Sequence, residues 1–362
     1  MDVVVSSATA LPNDVLLNCL ARVPRRYDPI LACVSKTFRS LVLSPDELPQ
    51  VRYLMGKNDY PVLYVRFSVG YRLKVFHWLT FNLNEKIPSD QDIRLPFLTT
   101  PLLSGSTVSI GSDIYFIGAA GVFPGLYRFD SLSGKLWRGP LMKAGRRYPG
   151  VAVVDGKIYA LGGCLYDDRL LVEVFDLETQ TWEFAPLSPH GEDRYGTGSM
   201  RTGREMSETV AVDGKIYVMG YLEGIHVVYN TKDGTSETFE MADETWNRGG
   251  ACVIDSVIYV YYFGLGLMWY DSKEKVWRVV QGLKIDESIE RVGLVDCDGK
   301  LAILWGDCSN GSGDTNKKIW CKMVVLDRSE VAIHGKVDWS DSLGSVPANY
   351  DIWHCTCLGI SD

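Results

Sequence analysis

Apolar positions near the start of the chain recur with a helical period. Val15, Leu16, Cys19, Leu20 and Val23 fall at i, i+1, i+4, i+5 and i+8, and Ile30, Leu31, Val34, Phe38 and Leu41 at i, i+1, i+4, i+8 and i+11. Two amphipathic helices separated by a turn are predicted. Asn13 is placed to cap the first, whose last turn carries Arg22 and which Pro24 stops. Asp28-Pro29 supplies an N-cap with proline at the first helical position, and in Ser44-Pro45-Asp46-Glu47 the glutamate can close a capping box on Ser44. Three short helices over about 13–51 are therefore expected. Each exposed Leu, Ile or Phe forfeits roughly 1.5–3 kcal/mol relative to burial. A unit this small cannot make a full core alone, so it needs either the rest of the chain or a partner.

Beyond residue 52 the pattern switches to strand-like alternation rich in Gly, Tyr and Trp, and it repeats. Asp155-Gly156-Lys157-Ile158-Tyr159-Ala160-Leu161-Gly162-Gly163 returns as Asp213-Gly214-Lys215-Ile216-Tyr217-Val218-Met219-Gly220, with weaker copies at 111–118, 255–260 and 298–304. The first apolar residue of the return strand lies at 114, 158, 216, 258 and 301, a spacing near 43 except for one surplus in the polar stretch 188–205. Each copy carries an apolar strand, an Asp-Gly type turn suited to positive φ, a return strand, a strand ending in a polar turn residue, and a strand bearing Trp137, Trp182, Phe239 or Trp277. Four short antiparallel strands per 40–50 residues define a β-propeller blade. The aromatics are expected to wedge between blades.

The clearest repeats cover about 104–145, 146–190, 206–243, 248–283 and 290–340. Tyr60–Phe67 and Lys74–Phe81 read as a divergent first blade, which makes six, and the strand-like 351–360 segment could pair with that blade and close the ring. The expected fold class is thus a small all-α N-terminal unit at 8–54 followed by an all-β propeller at 58–362.

Charge and cysteine usage narrow the function classes. The chain has 37 Lys and Arg against 45 Asp and Glu, and the net −8 sits almost wholly in the propeller. An acidic domain without a Lys/Arg block argues against nucleic-acid binding. Nine cysteines are scattered with no Cys-x-x-Cys pair, and no secretory leader or membrane-length apolar run is evident. A soluble protein of cytoplasm and/or nucleus, with free thiols, is expected.

Candidate chemistry is sparse. The five histidines are far apart, Cys355 and Cys357 read as core thiols rather than metal ligands, and neither a Walker-type loop nor a nucleophile elbow appears. No catalytic residue, metal or cofactor is expected. Residues just before the innermost strands, Ser104, Tyr148, Met206, Arg248 and Arg291, with Arg146, Arg147 and Asn247, could ring the channel mouth. With Arg194, Tyr195, Arg201 and Arg204 of the long insertion they would suit an acidic or planar partner segment. The candidates for that contact are Arg147, Tyr148, Arg194, Tyr195, Arg248 and Arg291.

The opening Leu11-Pro12, the Leu16/Cys19-Leu20 helix pattern, Arg22-Val23-Pro24 and Val34-Ser35-Lys36-Thr37-Phe38-Arg39-Ser40-Leu41 resemble the F-box motif, with Phe38 where many F-boxes have Trp. The repeats resemble the kelch repeat, although Gly162-Gly163 alone keeps its diglycine whole; WD-type propellers are the runner-up. Together these resemble the F-box/kelch-repeat proteins, a set much expanded in flowering plants. The resemblance implies that the F-box docks on a Skp-type adaptor, and through it a cullin, by way of Leu11, Pro12, Val15, Leu16, Leu20, Val23, Leu31, Val34, Phe38 and Leu41. It further implies that the propeller holds a client protein for a ubiquitin ligase, with no chemistry performed by this chain. The competing classes are a non-degradative interaction scaffold and, weakest, a kelch-type enzyme.

Overall fold

The computed structural model describes residues 11–23, 27–44, 47–55, 62–69, 75–83, 105–118, 123–131, 135–164, 171–186, 207–220, 226–242, 249–284, 289, 291–307, 315–329 and 331–358. The chain opens with four helices: α1 (Asn13–Leu20), α2 (Asp28–Val34), α3 (Lys36–Val42) and α4 (Glu47–Leu54). The second helix predicted from sequence is therefore two. Ser35 interrupts it with an extended backbone (φ −157°, ψ 165°), and its Oγ accepts from the Phe38 N–H at 3.0 Å. A side-chain cap replaces helical continuation at that point.

Two other expected caps are corrected. Pro12, not Asn13, takes the N-cap position of α1 and offers no side-chain acceptor. Asp28 is the first residue of α2 rather than its cap, because its carboxylate is held by Arg52 of α4 through bonds of 2.8 and 2.7 Å. That buried pair ties α2 to α4. The third predicted cap is present: Ser44 Oγ accepts from the Glu47 N–H at 3.2 Å.

Six sheets follow. The chain-order strands of the first are β1 (Val62–Val69) and β2 (Val75–Asn82). The second blade holds β3 (Ser106–Ile110), β4 (Asp113–Ile117), β5 (Leu126–Asp130) and β6 (Lys135–Arg138). The third holds β7 (Gly150–Val154), β8 (Lys157–Leu161), β9 (Val172–Asp176) and β10 (Thr181–Phe184). The fourth holds β11 (Ser207–Val212), β12 (Lys215–Gly220), β13 (His226–Asn230) and β14 (Ser236–Thr238). The fifth holds β15 (Ala251–Ile254), β16 (Val257–Tyr262), β17 (Gly266–Asp271) and β18 (Val276–Val279). The sixth holds β19 (Val292–Cys297), β20 (Lys300–Gly306), β21 (Asn316–Arg328) and β22 (Ile333–Pro347), the last two much longer than the rest.

The ring closes with the chain's last strand. β23 (Tyr350–Leu358) pairs antiparallel with β1 in the order β2-β1-β23, so the C-terminal end of the chain supplies the innermost strand of the first blade. β23 packs against β19 on one side, and on the other Thr356 Oγ1 meets Ser109 Oγ of β3 at 2.7 Å. Every junction between neighbouring blades has its own apolar cluster, including the closing one, where Leu63, Val65 and Phe67 of β1 meet Leu304 and Cys321 of the sixth blade. Each blade is a separate sheet that ends in its innermost strand, so the ring leaves only short inner edges.

Local sequence explains the hairpins between inner and second strands. Asp155-Gly156, Asp213-Gly214 and Asp298-Gly299 all have positive φ at both central residues (48° and 70°, 51° and 76°, 53° and 76°). This is the type I′ requirement, which Asp and Gly satisfy at low cost. In the diglycine, Gly163 has φ 75°, and a Cβ there would sit 2.8 Å from the Arg147 carbonyl oxygen. The aromatics of the last strands wedge as expected in three cases, Phe239 lying between Tyr217 of the fourth blade and Tyr270 of the fifth. Trp182 Nε1 donates to the Pro140 carbonyl at 3.3 Å and Trp277 Nε1 to the Glu240 carbonyl at 2.9 Å, each reaching back to the chain that leaves the preceding blade. Trp137 is the exception: it is 40% exposed, beneath the cations of Arg128 and Lys135.

Candidate functional site

The helical unit divides its apolar residues into two populations. Leu16, Leu20, Ala21, Ala32, Leu41, Val42 and Leu48 are buried together, with Leu17, Leu31, Phe38, Val51 and Met55 packed against them. The helices thus build a small core of their own, contrary to expectation, because α4 adds Leu48, Val51 and Met55 to the two-helix pattern. Leu16, Leu20 and Leu41, expected at the outer face, are internal. Leu31, Phe38 and Val23 are half-buried.

What remains outside is specific. Leu11 is 52% exposed and Val15 39%, and Cys19 continues the same i, i+4, i+8 line along α1. On α2, Ile30 is 50% and Val34 62% exposed, with Cys33 exposed between them. Pro12 is exposed too. Ile30 was not among the expected contacts, although its spacing of four from Val34 was the available signal. Leaving branched apolar side chains in water after the local core is complete is unfavourable by about 1.5–3 kcal/mol each when fully exposed, and proportionately less here.

On the propeller, the expected rim residues part company. Arg194, Tyr195 and Arg248 lie outside the described residues, as do Ser104, Met206, Asn247, Arg201 and Arg204. Arg147 is half-buried, and its backbone N–H donates to the Gly163 carbonyl at 2.8 Å. Tyr148 is a correction: its side chain is buried, with φ at 47°, so it supports the rim from within instead of facing a partner. Burial pushes its hydroxyl pKa up, partly offset by the cations of Arg66 and Arg147. Arg291 is engaged in an ion pair with Asp351 of β23, which Lys317 also approaches at 3.4 Å. That contact spans the junction between the sixth and first blades.

Arg146 is a further correction. Rather than lining the channel mouth, it is wholly buried. Its Nε and Nη2 reach Glu173 Oε1 at 3.2 and 2.9 Å, and its Nη1 reaches the carbonyls of Gly162 and Leu171 at 2.6 and 2.8 Å. The same carboxylate accepts from the backbone N–H groups of Lys143 and Ala144. Every nitrogen of the guanidinium and both carboxylate oxygens have a partner, so the pair fastens the entry loop to β9. Sequence reading missed it because Glu173 lies 27 residues away, in an ordinary strand pattern.

Reactive chemistry is scarce. Among the described residues no group of three or more His, Cys, Asp or Glu side chains is arranged to hold a metal ion. Burial pushes the thiol pKa values of Cys252, Cys321 and Cys355 up, and a hydrogen bond with Cys297, followed by burial, does the same for Cys357. Such thiols are poor nucleophiles. Among the described residues no helix is long and apolar enough to cross a membrane.

Comparison with known proteins agrees with this architecture. The F-box domain model matches residues 9–49, and the "FKB95, Kelch-repeats domain" model matches residues 80–343. F-box/kelch-repeat protein At2g22030 of Arabidopsis thaliana is 55% identical over 365 residues, an alignment covering 98% of this chain and 93% of that protein. At2g44630 and At2g44700 of the same plant, also F-box/kelch-repeat proteins, are each 39% identical, covering 97% and 96% of this chain and 94% and 92% of their own lengths. An N-terminal F-box of short helices joined to a six-bladed kelch propeller places this chain in the F-box/kelch-repeat family.

Proposed function

We propose that this chain is the substrate-recognition subunit of a Skp-adaptor/cullin/F-box ubiquitin ligase. The F-box docks the Skp-type adaptor, the adaptor links to a cullin, and the propeller holds the protein to be ubiquitinated. The observation that carries the reading is the set of apolar side chains on α1 and α2, Leu11, Val15, Ile30 and Val34, left in solvent by helices that already have a core. Their free energy is recovered on docking. The buried Leu16, Leu20 and Leu41 then shape the docking surface without touching the partner.

The propeller's role is to raise the local concentration of a client lysine near the charged ubiquitin carrier, which is catalysis by proximity and requires no reacting group here. Burial raises the thiol pKa values of Cys321 and Cys355, so these cysteines are poor nucleophiles. Arg147, Arg194, Tyr195, Arg248 and Arg291 are the proposed client contacts, with Tyr148 as their support, and the place of work is the cytoplasm and/or nucleus.

The test is recovery of the tagged full-length protein from plant cells. A Skp-type adaptor and a cullin are expected to accompany it, and Leu11→Ala, Pro12→Ala and Val15→Ala together should remove both. Substituting Arg147, Arg194, Arg248 and Arg291 by Ala should release clients and leave the adaptor bound. A chain that never recovers an adaptor is instead a non-degradative scaffold.

A further inference from the structure

Four of the eight described cysteines meet at one place. Cys297, Cys321 and Cys355 are buried in the apolar cluster that closes the ring, with Cys357 packed against it. Among the described residues no other blade junction holds more than one. Cys297 lies on β19 and Cys357 on β23, the innermost strands of the sixth and first blades. Cys297 Sγ donates to Cys357 Sγ at 2.8 Å. Two sulfurs at that separation need only a small side-chain adjustment to reach the roughly 2.05 Å of a disulfide.

The backbone explains why these sulfurs meet. Gly293 of β19 faces β23, and a Cβ there would collide with Cys355 Sγ. The missing side chain lets the two strands approach closely. They nevertheless belong to separate sheets: β23 is hydrogen-bonded to β1, and its ladder there shifts register between Arg66 and Phe67. The sixth blade holds β23 by side-chain packing and by the ion pairs of Arg291 and Lys317 with Asp351. An S–S bond makes that contact covalent between residues 60 apart in the chain. A cross-link over so long a loop removes much of the conformational freedom of the unfolded chain.

We propose that Cys297 and Cys357 are an oxidisable pair whose disulfide, formed by an oxidant of the peroxide class, locks the propeller ring. Cys357 is the half-buried member and meets the oxidant first. Its thiolate sulfur attacks one peroxide oxygen, the O–O bond breaks, and a sulfenic acid and hydroxide result. The Cys297 sulfur then attacks the Cys357 sulfur. The S–S bond forms, the S–O bond breaks, and the sulfenic oxygen leaves as water with the Cys297 proton. Two thiols and one hydrogen peroxide give one disulfide and two waters. The hydrogen bond with Cys297, followed by burial, pushes the Cys357 thiol pKa up, so the first step is slow at neutral pH and quickens about tenfold per pH unit. So slow a pair records sustained oxidation rather than a brief pulse. The lock is independent of what docks on the F-box or on the rim.

The test uses the purified full-length chain, reduced, desalted and then given hydrogen peroxide at about pH 8. Mass spectrometry of a non-reducing digest should find the Cys297 and Cys357 peptides joined, lighter than their sum by two hydrogens. The propeller's thermal midpoint should rise by roughly 5–10 °C and return when dithiothreitol is added. Cys357→Ser should remove both the cross-link and the rise, and Cys164→Ser, in the third blade, should leave both. If Cys357→Ser does not fold, the digest and the dithiothreitol-reversible midpoint of the parent chain still decide. Cys357 recovered as sulfinic acid with Cys297 free overturns the proposal, as does a disulfide from either residue to Cys321 or Cys355. Cys297 and Cys357 both still free once the exposed Cys19 and Cys33 are oxidised overturn it too. A Cys297–Cys357 bond that leaves the midpoint unchanged contradicts the lock.

Discussion

The F-box and the propeller solve burial in opposite ways. The propeller returns its last strand to its first blade and gives every blade junction an apolar cluster. The four helices assemble seven buried apolar residues and then leave Leu11, Val15, Ile30, Val34 and, at the end of α4, Leu54 outside. A closed ring needs no further partner to complete its core. The propeller also exposes Phe184, Phe263, Val279 and Val331, but for its size the helical unit exposes the denser set. Under the proposed function, the fixed partner belongs to the N-terminal end and the variable one to the ring.

The contrast breaks most completely if the ring's internal fastening is removed. Glu173→Ala leaves Arg146 charged and unpaired at zero exposure, and denaturant titration should show a loss of about 3–5 kcal/mol. Asp28→Ala removes the buried carboxylate that Arg52 holds in the F-box, at a cost of about 3 kcal/mol, and should reduce adaptor binding with little change in the propeller's unfolding transition.

Acid should loosen the propeller next. Burial pulls His226 down to about 4, and burial with the Arg66 cation does the same to His354. The unfolded chain takes up these protons near pH 6.5, before the folded chain does. Stability is therefore complete above pH 6.5 and falls as pH drops from 6.5 to 4, by about 3 kcal/mol for His226. Denaturant midpoints at pH 7, 5.5 and 4.5 check the slope, and His226→Gln should flatten it. A level stability over that window contradicts the burial of a neutral imidazole. The smallest effect belongs to the exposed Lys300–Asp338 pair: Asp338→Asn should change stability by less than about 1 kcal/mol.

Much of this contrast was legible in the sequence, and what was not has a common cause. Blade number, the Asp-Gly hairpins and the closing strand at 351–358 follow from period-two alternation and turn chemistry, which act within a few residues. Arg146 was misread as a rim cation because its anion is 27 residues distant, and Asp28 as a cap because Arg52 is 24 residues distant. Tyr148 followed Arg147 into the rim for want of any local sign that its side chain turns inward. The outer face of the F-box was only half legible: helical spacing marked the apolar positions, but α4 decided which of them it would cover. The break at Ser35 did have a local signal, a serine three residues before Phe38, and the continuous apolar pattern hid it.

The affinity of the purified full-length chain for a Skp-type adaptor tests the central claim most directly. Leu11→Ala, Val15→Ala and Val34→Ala combined should weaken it by about a hundredfold or more, at 1.4 kcal/mol per tenfold, with the thermal transitions of the F-box and propeller unchanged. Leu16→Ala, by contrast, should act by lowering the F-box transition. Affinity of the triple variant within about threefold of the parent would contradict the assignment of the exposed α1 and α2 side chains as the docking face.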